Sequence, residues 1–123
     1  MQHSSDFLKL VEELRPLVKE TDVPTIAKRL NNQESFVLID VREDHEWAYG
    51  HIPTALHLSR GIIERDIEKT IPDKNTELVL YCGGGFRSIL SAYNLQKMGY
   101  INVTSMDGGI RDWINSGYKV TLK

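Results

Sequence analysis

The sequence predicts an α/β fold: a central parallel sheet of about five strands with helices on both faces. Three observations carry this. Short apolar runs recur at 36–39, 55–58, 78–81 and 101–106, with an edge-strand candidate at 17–20. The segments between them place apolar residues at helical spacing. Phe36-Val37-Leu38-Ile39 and Leu78-Val79-Leu80-Tyr81 are apolar without alternation, which suits parallel strands covered on both faces. Strands alternating with helices imply right-handed crossovers, and the binding crevice of such a sheet lies at the carboxyl ends of its strands.

In order, Phe7, Leu10, Val11 and Leu14 form one face of an amphipathic helix, capped by Ser4 or Ser5 and stopped near Leu14 by Pro16. The helix is expected to pack on the domain; the alternative is a handle for a partner. Leu17 to Glu20 reads as a short edge strand. Asp22 is the expected N-cap of a helix with Pro24 in its first turn, running through Leu30. After the strand that ends at Asp40, Glu43 to Tyr49 is a short helical turn and Ala55 to Leu58 a shorter strand. Ile62 to Lys69 is helical. The strand Leu78 to Tyr81 leads into Cys82. Arg87 to Met98 is the best helix, with Gly99 as its stop. A last strand, Ile101 to Met106, turns through Asp107-Gly108-Gly109 into a helix from Ile110 to Ser116.

At 123 residues the chain fits one domain, and 41% hydrophobic residues suffice for a core. The formal net charge of −2 offers no basic excess for nucleic acid or an anionic membrane surface, and no apolar run approaches membrane-spanning length. Met1 to Asp6 has neither a basic segment nor an apolar one after it, so no secretory leader is expected. With a single cysteine, Cys82, no intrachain disulfide can form, and a reducing cytoplasmic setting is the expectation.

Cys82 is followed by Gly83-Gly84-Gly85-Phe86-Arg87-Ser88 and then by the best helix. A buried strand delivers a thiol to the sheet rim, a glycine loop wraps its N–H groups around the sulfur, and a helix N-terminus points its positive end there. Each effect favours a thiolate over a thiol. A structural cysteine needs neither three glycines, which cost backbone entropy, nor an arginine five residues on. Other sites fail on spacing. No Gly-Lys-Ser/Thr follows, the glycines are consecutive rather than spaced, and no Gly-x-Ser-x-Gly elbow exists. Cys82 with His3, His45, His51 and His57 offers no zinc spacing, and His45-Glu46 with His51 is too long for a His-Glu-x-x-His pair.

Leu38-Ile39-Asp40-Val41-Arg42, Gly50-His51-Ile52-Pro53, Tyr81 to Ser88, and Asp107-Gly108-Gly109-Ile110 with Trp113 and Gly117 stand in one order along about residues 20 to 120. On these the chain resembles single-domain rhodanese-like sulfurtransferases, which implies a three-layer rhodanese-like fold over 17–123, with 1–16 as a helical extension. The resemblance makes Cys82 a nucleophile that takes a sulfane sulfur from thiosulfate or a persulfide donor, becomes a persulfide, and passes the sulfur to cyanide or a thiol. It makes the N–H groups of Gly83, Gly84, Gly85, Phe86, Arg87 and Ser88 the cradle of the terminal sulfur. Ping-pong kinetics follow from the covalent intermediate. The implied partners are a small anionic donor, a thiol or cyanide acceptor, and an acceptor protein; no metal and no cofactor are implied.

Arg87 has two readings, steering an anionic donor or pinning the loop by a salt bridge. Arg60, in Ser59-Arg60-Gly61, either reaches the pocket rim or stays solvated. Ser88 either bonds the sulfur or caps the next helix, and capping is favoured. Asp40, Arg42, Glu46 and His51 read as structural, with Arg42 and Glu46 paired four residues apart. Trp113 reads as a core anchor, Gly108-Gly109 as a tight turn and His57 as a satisfied core histidine. The competing functions are a non-turnover sulfur carrier or regulatory binding module, and less favourably a phosphatase or arsenate reductase. Dual-specificity phosphatases of the same fold have five residues between cysteine and arginine. Here four separate Cys82 from Arg87, no aspartate is placed as a general acid, and there is no second cysteine.

Overall fold

Five parallel strands make one sheet in the computed structural model, which describes residues 3–123. Met1 and Gln2, the first residues of the segment read for a leader, lie outside the described residues. The strands are β1 (Lys19–Thr21), β2 (Val37–Asp40), β3 (Leu56–His57), β4 (Leu78–Tyr81) and β5 (Val103–Met106), in the order β1-β5-β4-β2-β3. The helices are α1 (Ser5–Leu14), α2 (Val23–Asn31), α3 (Asp44–Ala48), α4 (Ile63–Thr70), α5 (Arg87–Lys97) and α6 (Gly109–Asn115).

Strand β4 is central and buried at all four positions, so its alternation divides the core in two. Leu78 and Leu80 face one side, with Val11 of α1, Ile63 and Ile67 of α4 and Ile89 and Leu95 of α5. Val79 and Tyr81 face the other, with Val23 and Ile26 of α2 and Ile110 and Trp113 of α6. Burying side chains of this size contributes about 1.5–3 kcal/mol each, which ties the helices to the sheet. Both faces of β4 are therefore covered, as its unbroken apolar run predicts. Cys82 continues the alternation onto the α5 side, at the carboxyl edge and between β2 and β5.

Local chemistry sets the element ends. Asp22 caps α2, its carboxylate accepting from the Thr25 N–H at 2.9 Å. Pro16 ends α1 as expected but starts a 3-10 turn, Arg15–Leu17, so β1 begins two residues later than the apolar pattern suggests. The buried stripe of α1 is narrower than predicted: Val11 is fully buried, whereas Leu10 is 44% exposed. Ile101 is also exposed, and β5 starts only at Val103. Helix α1 packs on α5, which the expectation of packing rather than display anticipates.

The polar residues after β2 hold the frame together. Buried Asp40 accepts from the Arg42 backbone N–H and from its Nε and Nη2, and Nη2 also donates to the Gly50 carbonyl at 2.7 Å. The expected Arg42–Glu46 pair does not form, because Arg42 is committed to Asp40. The Trp47 ring stacks on those of His51 and His57, and Nε2 of His57 lies 2.9 Å from the Arg42 carbonyl oxygen, the satisfied histidine expected. Trp113 anchors α6, its indole N–H donating to the Lys119 carbonyl at 2.7 Å.

Candidate active site

Cys82 follows β4 and is only 1% exposed, and the chain then bends through Gly83 to Phe86 before α5 begins. Two backbone N–H groups reach its Sγ: that of Gly85 at 3.2 Å and that of Ser88 at 3.4 Å. The Ser88 hydroxyl lies 3.4 Å from the sulfur and 2.7 Å from the hydroxyl of Ser105 on β5. When Ser105 donates to Ser88, the Ser88 proton is left for the sulfur. This corrects the capping role: Phe86 holds the N-cap position of α5, and Ser88 lies inside the helix facing Cys82. The N–H groups of Gly84, Phe86 and Arg87 find no protein acceptor among the described residues.

The three glycines serve three different contacts. A Cβ at Gly83 would stand 3.0 Å from Nη2 of Arg87, and one at Gly84 3.0 Å from Nη1 of Arg111. Two guanidinium groups thus lie against the bare backbone of the loop. Only Gly85 needs positive φ, at +101°, and a Cβ there would meet the Gly108 N at 3.0 Å. For Gly83 and Gly84 the reason for glycine is room.

The loop is held from outside by α6. The N–H of Ile110 donates to the Cys82 carbonyl at 2.9 Å and that of Arg111 to the Gly83 carbonyl at 3.0 Å. These two bonds tie the Cys82 and Gly83 carbonyls to the start of α6. Gly108-Gly109 is therefore more than a tight turn: it brings α6 against the cysteine loop.

The guanidinium of Arg87 is paired with a carboxylate. Its Nη1 and Nη2 bind the Glu46 carboxylate at 2.7 and 3.0 Å, a bidentate pair that pins the loop to α3. Glu46 also accepts from the Glu43 backbone N–H, closing a capping box. The Arg87 guanidinium holds its carboxyl well below the usual range, at about 2. Arg60 lines the pocket and is also exposed to solvent.

The open pocket over Cys82 has a volume of about 620 Å³. Its walls include Arg60 and Phe86, and also residues that the sequence alone does not mark: Glu43, His45, Arg111 and, from the N-terminal segment, His3 and Phe7. The ring of Phe86 makes edge contacts with His3 at 4.8 Å and Phe7 at 6.4 Å. Helix α1 is thus part of the site wall. No local signal marks Phe7 or Arg111 as site residues, since both meet the loop only through tertiary packing.

The rhodanese-like domain family matches residues 23–116. The chain belongs to that family. A sulfurtransferase of Allochromatium vinosum is 35% identical over 104 residues, covering 85% of this chain and 95% of the relative. The thiosulfate sulfurtransferase GlpE of Coxiella burnetii is 33% identical over 87 residues, 71% of this chain and 79% of its own. Among solved structures, a Rhodopseudomonas palustris protein described as of unknown function and a possible tyrosine phosphatase superposes with a TM-score of 0.85, covering 98% of each chain. At 24% identity that likeness carries the fold alone. The rhodanese-like relatives support sulfur transfer in general as the chemistry of this site.

Proposed function

We propose that this chain is a sulfurtransferase that moves a sulfane sulfur from thiosulfate or a persulfide donor, through a Cys82 persulfide, to cyanide or a thiol acceptor. The observation that carries the proposal is the ring of donors around Sγ: Gly85 N–H, Ser88 N–H and the Ser88 hydroxyl. These donors stabilise a thiolate before the reaction. The unpartnered N–H groups of Gly84, Phe86 and Arg87 supply further donors for the outer sulfur of a persulfide, in the manner of an oxyanion hole. The N-terminus of α5 adds its partial positive charge.

In the first half-reaction the Cys82 thiolate attacks the outer sulfur of the donor. The donor's S–S bond breaks and its electron pair leaves with sulfite, if thiosulfate is the donor. The transferred sulfur carries the negative charge into the cradle. In the second half-reaction the acceptor attacks that sulfur and the pair returns to Cys82. The cycle needs no metal and no redox partner.

The test is intact mass after incubation with thiosulfate, then after adding cyanide. The expected result is a gain of one sulfur atom that cyanide removes, absent in Cys82→Ser. Loading of the Cys82→Ser variant would overturn the assignment. A wild type loaded by neither thiosulfate nor a persulfide donor would overturn it as well.

A further inference from the structure

Helix α1 lies outside the segment that matches the family, residues 23–116, yet it forms part of the wall over Cys82. Val11 anchors it, fully buried in the core on the α5 side of the sheet. Phe7 stands one turn earlier on the same face, so the stripe that anchors the helix also carries its ring to the pocket. That ring is partly buried against the core and meets Phe86, itself packed on the core, edge to face at 6.4 Å. His3 completes the cluster, its ring 5.2 Å from that of Phe7 and 4.8 Å from that of Phe86. Three rings that hold one another thus line the pocket. The rest of the lining includes charged groups, with Glu46 paired to Arg87. A pocket of about 620 Å³ falls within the range of about 300–1,000 Å³ that takes organic molecules, which lay their carbon skeletons on apolar and aromatic walls. Thiosulfate and cyanide have no apolar body to place there.

We propose that Phe7 and His3 form an apolar subsite for the body of an organic thiol acceptor, so that α1 turns the site's preference towards thiols that carry an aromatic or aliphatic group. The acceptor assignment rests on the sulfurtransferase reading; the apolar subsite does not. With its body against the rings, the acceptor holds its sulfur over the cysteine loop. As a thiolate, its proton gone to solvent, it attacks the outer sulfur of the Cys82 persulfide. A new S–S bond forms, the bond between Sγ and the outer sulfur breaks, and the electron pair returns to Sγ. The acceptor leaves as an organic persulfide and Cys82 is again a thiolate, so atoms and charge balance without a further reactant. Cyanide gains nothing from the rings.

The test reads the subsite first without sulfur chemistry. Cys82 is the only cysteine, so intact mass follows its alkylation by iodoacetamide and by N-benzyl iodoacetamide, both neutral and alike at the reacting carbon. Phe7→Ala is expected to lower the benzyl-to-plain rate ratio about fivefold, the scale of one aromatic contact. The iodoacetamide rate accounts for any opening of the pocket. Leu10→Ala, on α1 but 44% exposed and outside the pocket lining, should keep the wild-type ratio. The second arm starts from sulfur-loaded protein and follows the loss of that sulfur to benzyl mercaptan and to cyanide. Phe7→Ala should lower the benzyl mercaptan-to-cyanide rate ratio by a similar factor. An unchanged alkylation ratio overturns the subsite whether or not the wild type carries sulfur. An equal fall in Leu10→Ala overturns it too, since the effect would then come from a loosened helix and not from the ring. A lowered alkylation ratio with an unchanged discharge ratio overturns the acceptor assignment.

Discussion

Gly109 lies so close to Cys82 that a Cβ at Gly109 would stand 2.5 Å from the Cys82 carbonyl oxygen and 2.6 Å from that of Gly83. That approach lets the first N–H groups of α6 grip the cysteine loop. Gly109→Ala meets rigid backbone rather than a flexible side chain, and it does so at a φ of +57°, which alone costs about 1 kcal/mol. The expected outcome is a loss of at least 2 kcal/mol of stability by urea unfolding, about the size of a severe substitution, together with loss of sulfur loading. Gly61→Ala, with no atom within 4 Å of its Cβ, should change stability by less than about 0.5 kcal/mol.

Most of the fold is legible in the sequence because its signals are local. Asp22 and Pro24 announce α2, the unbroken apolar run of Leu78–Tyr81 announces a strand covered on both faces, and Gly99 announces the end of α5. The site is legible where it is contiguous: Cys82 through Arg87 make one loop. It is opaque where tertiary packing decides. Glu46 is four residues from Arg42, a spacing that suggests a pair, yet it binds Arg87, 41 residues away. Ser88 follows the glycines where a cap is expected, but the turn brings its hydroxyl beneath the sulfur. Phe7 reads only as part of the apolar stripe of α1 and Arg111 only as a residue after Gly108-Gly109, and neither pattern marks a pocket wall.

The Ser105–Ser88–Cys82 chain should be measurable in the loading step. Ser88→Ala removes the hydroxyl 3.4 Å from Sγ while its backbone N–H stays. A hydrogen bond to a charged group contributes about 1.5–3 kcal/mol, so persulfide formation should slow roughly tenfold or more. Ser105→Ala leaves Ser88 free to turn away and should slow it less. Rapid-quench mass spectrometry of sulfur loading checks both, and equal rates in Ser88→Ala and wild type would remove the hydroxyl from the mechanism.

Tyr81 provides a stability effect separate from the chemistry. Its ring is fully buried on the α2–α6 side, and its hydroxyl accepts the Ile52 N–H at 3.0 Å. Burial pushes the phenol well above its ordinary value, so it stays neutral through the working pH range. Tyr81→Phe keeps the ring and strands a buried donor, which should cost about 1–3 kcal/mol. Urea unfolding should show the loss, while the rate of sulfur loading in the folded protein stays close to that of wild type.

The Glu46–Arg87 pair ties loop order to pH. The Glu46 carboxyl titrates at about 2 in the folded chain against an ordinary 4.5, chiefly through its hydrogen bonds to Arg87. A depressed folded value means that the pair's stabilisation is fully present above pH 4.5 and is lost as pH falls from there towards 2. Both side chains keep over a quarter of their surface in water, so screening limits the contribution to about 1 kcal/mol. Glu46→Gln should therefore be less stable than wild type by about that amount at pH 6, and the gap should close on acidification. Urea unfolding of both proteins at pH 6 and pH 3 measures the difference. A gap that stays constant, or widens in acid, would mean that Glu46 acts through the capping of α3 and not through its charge on Arg87.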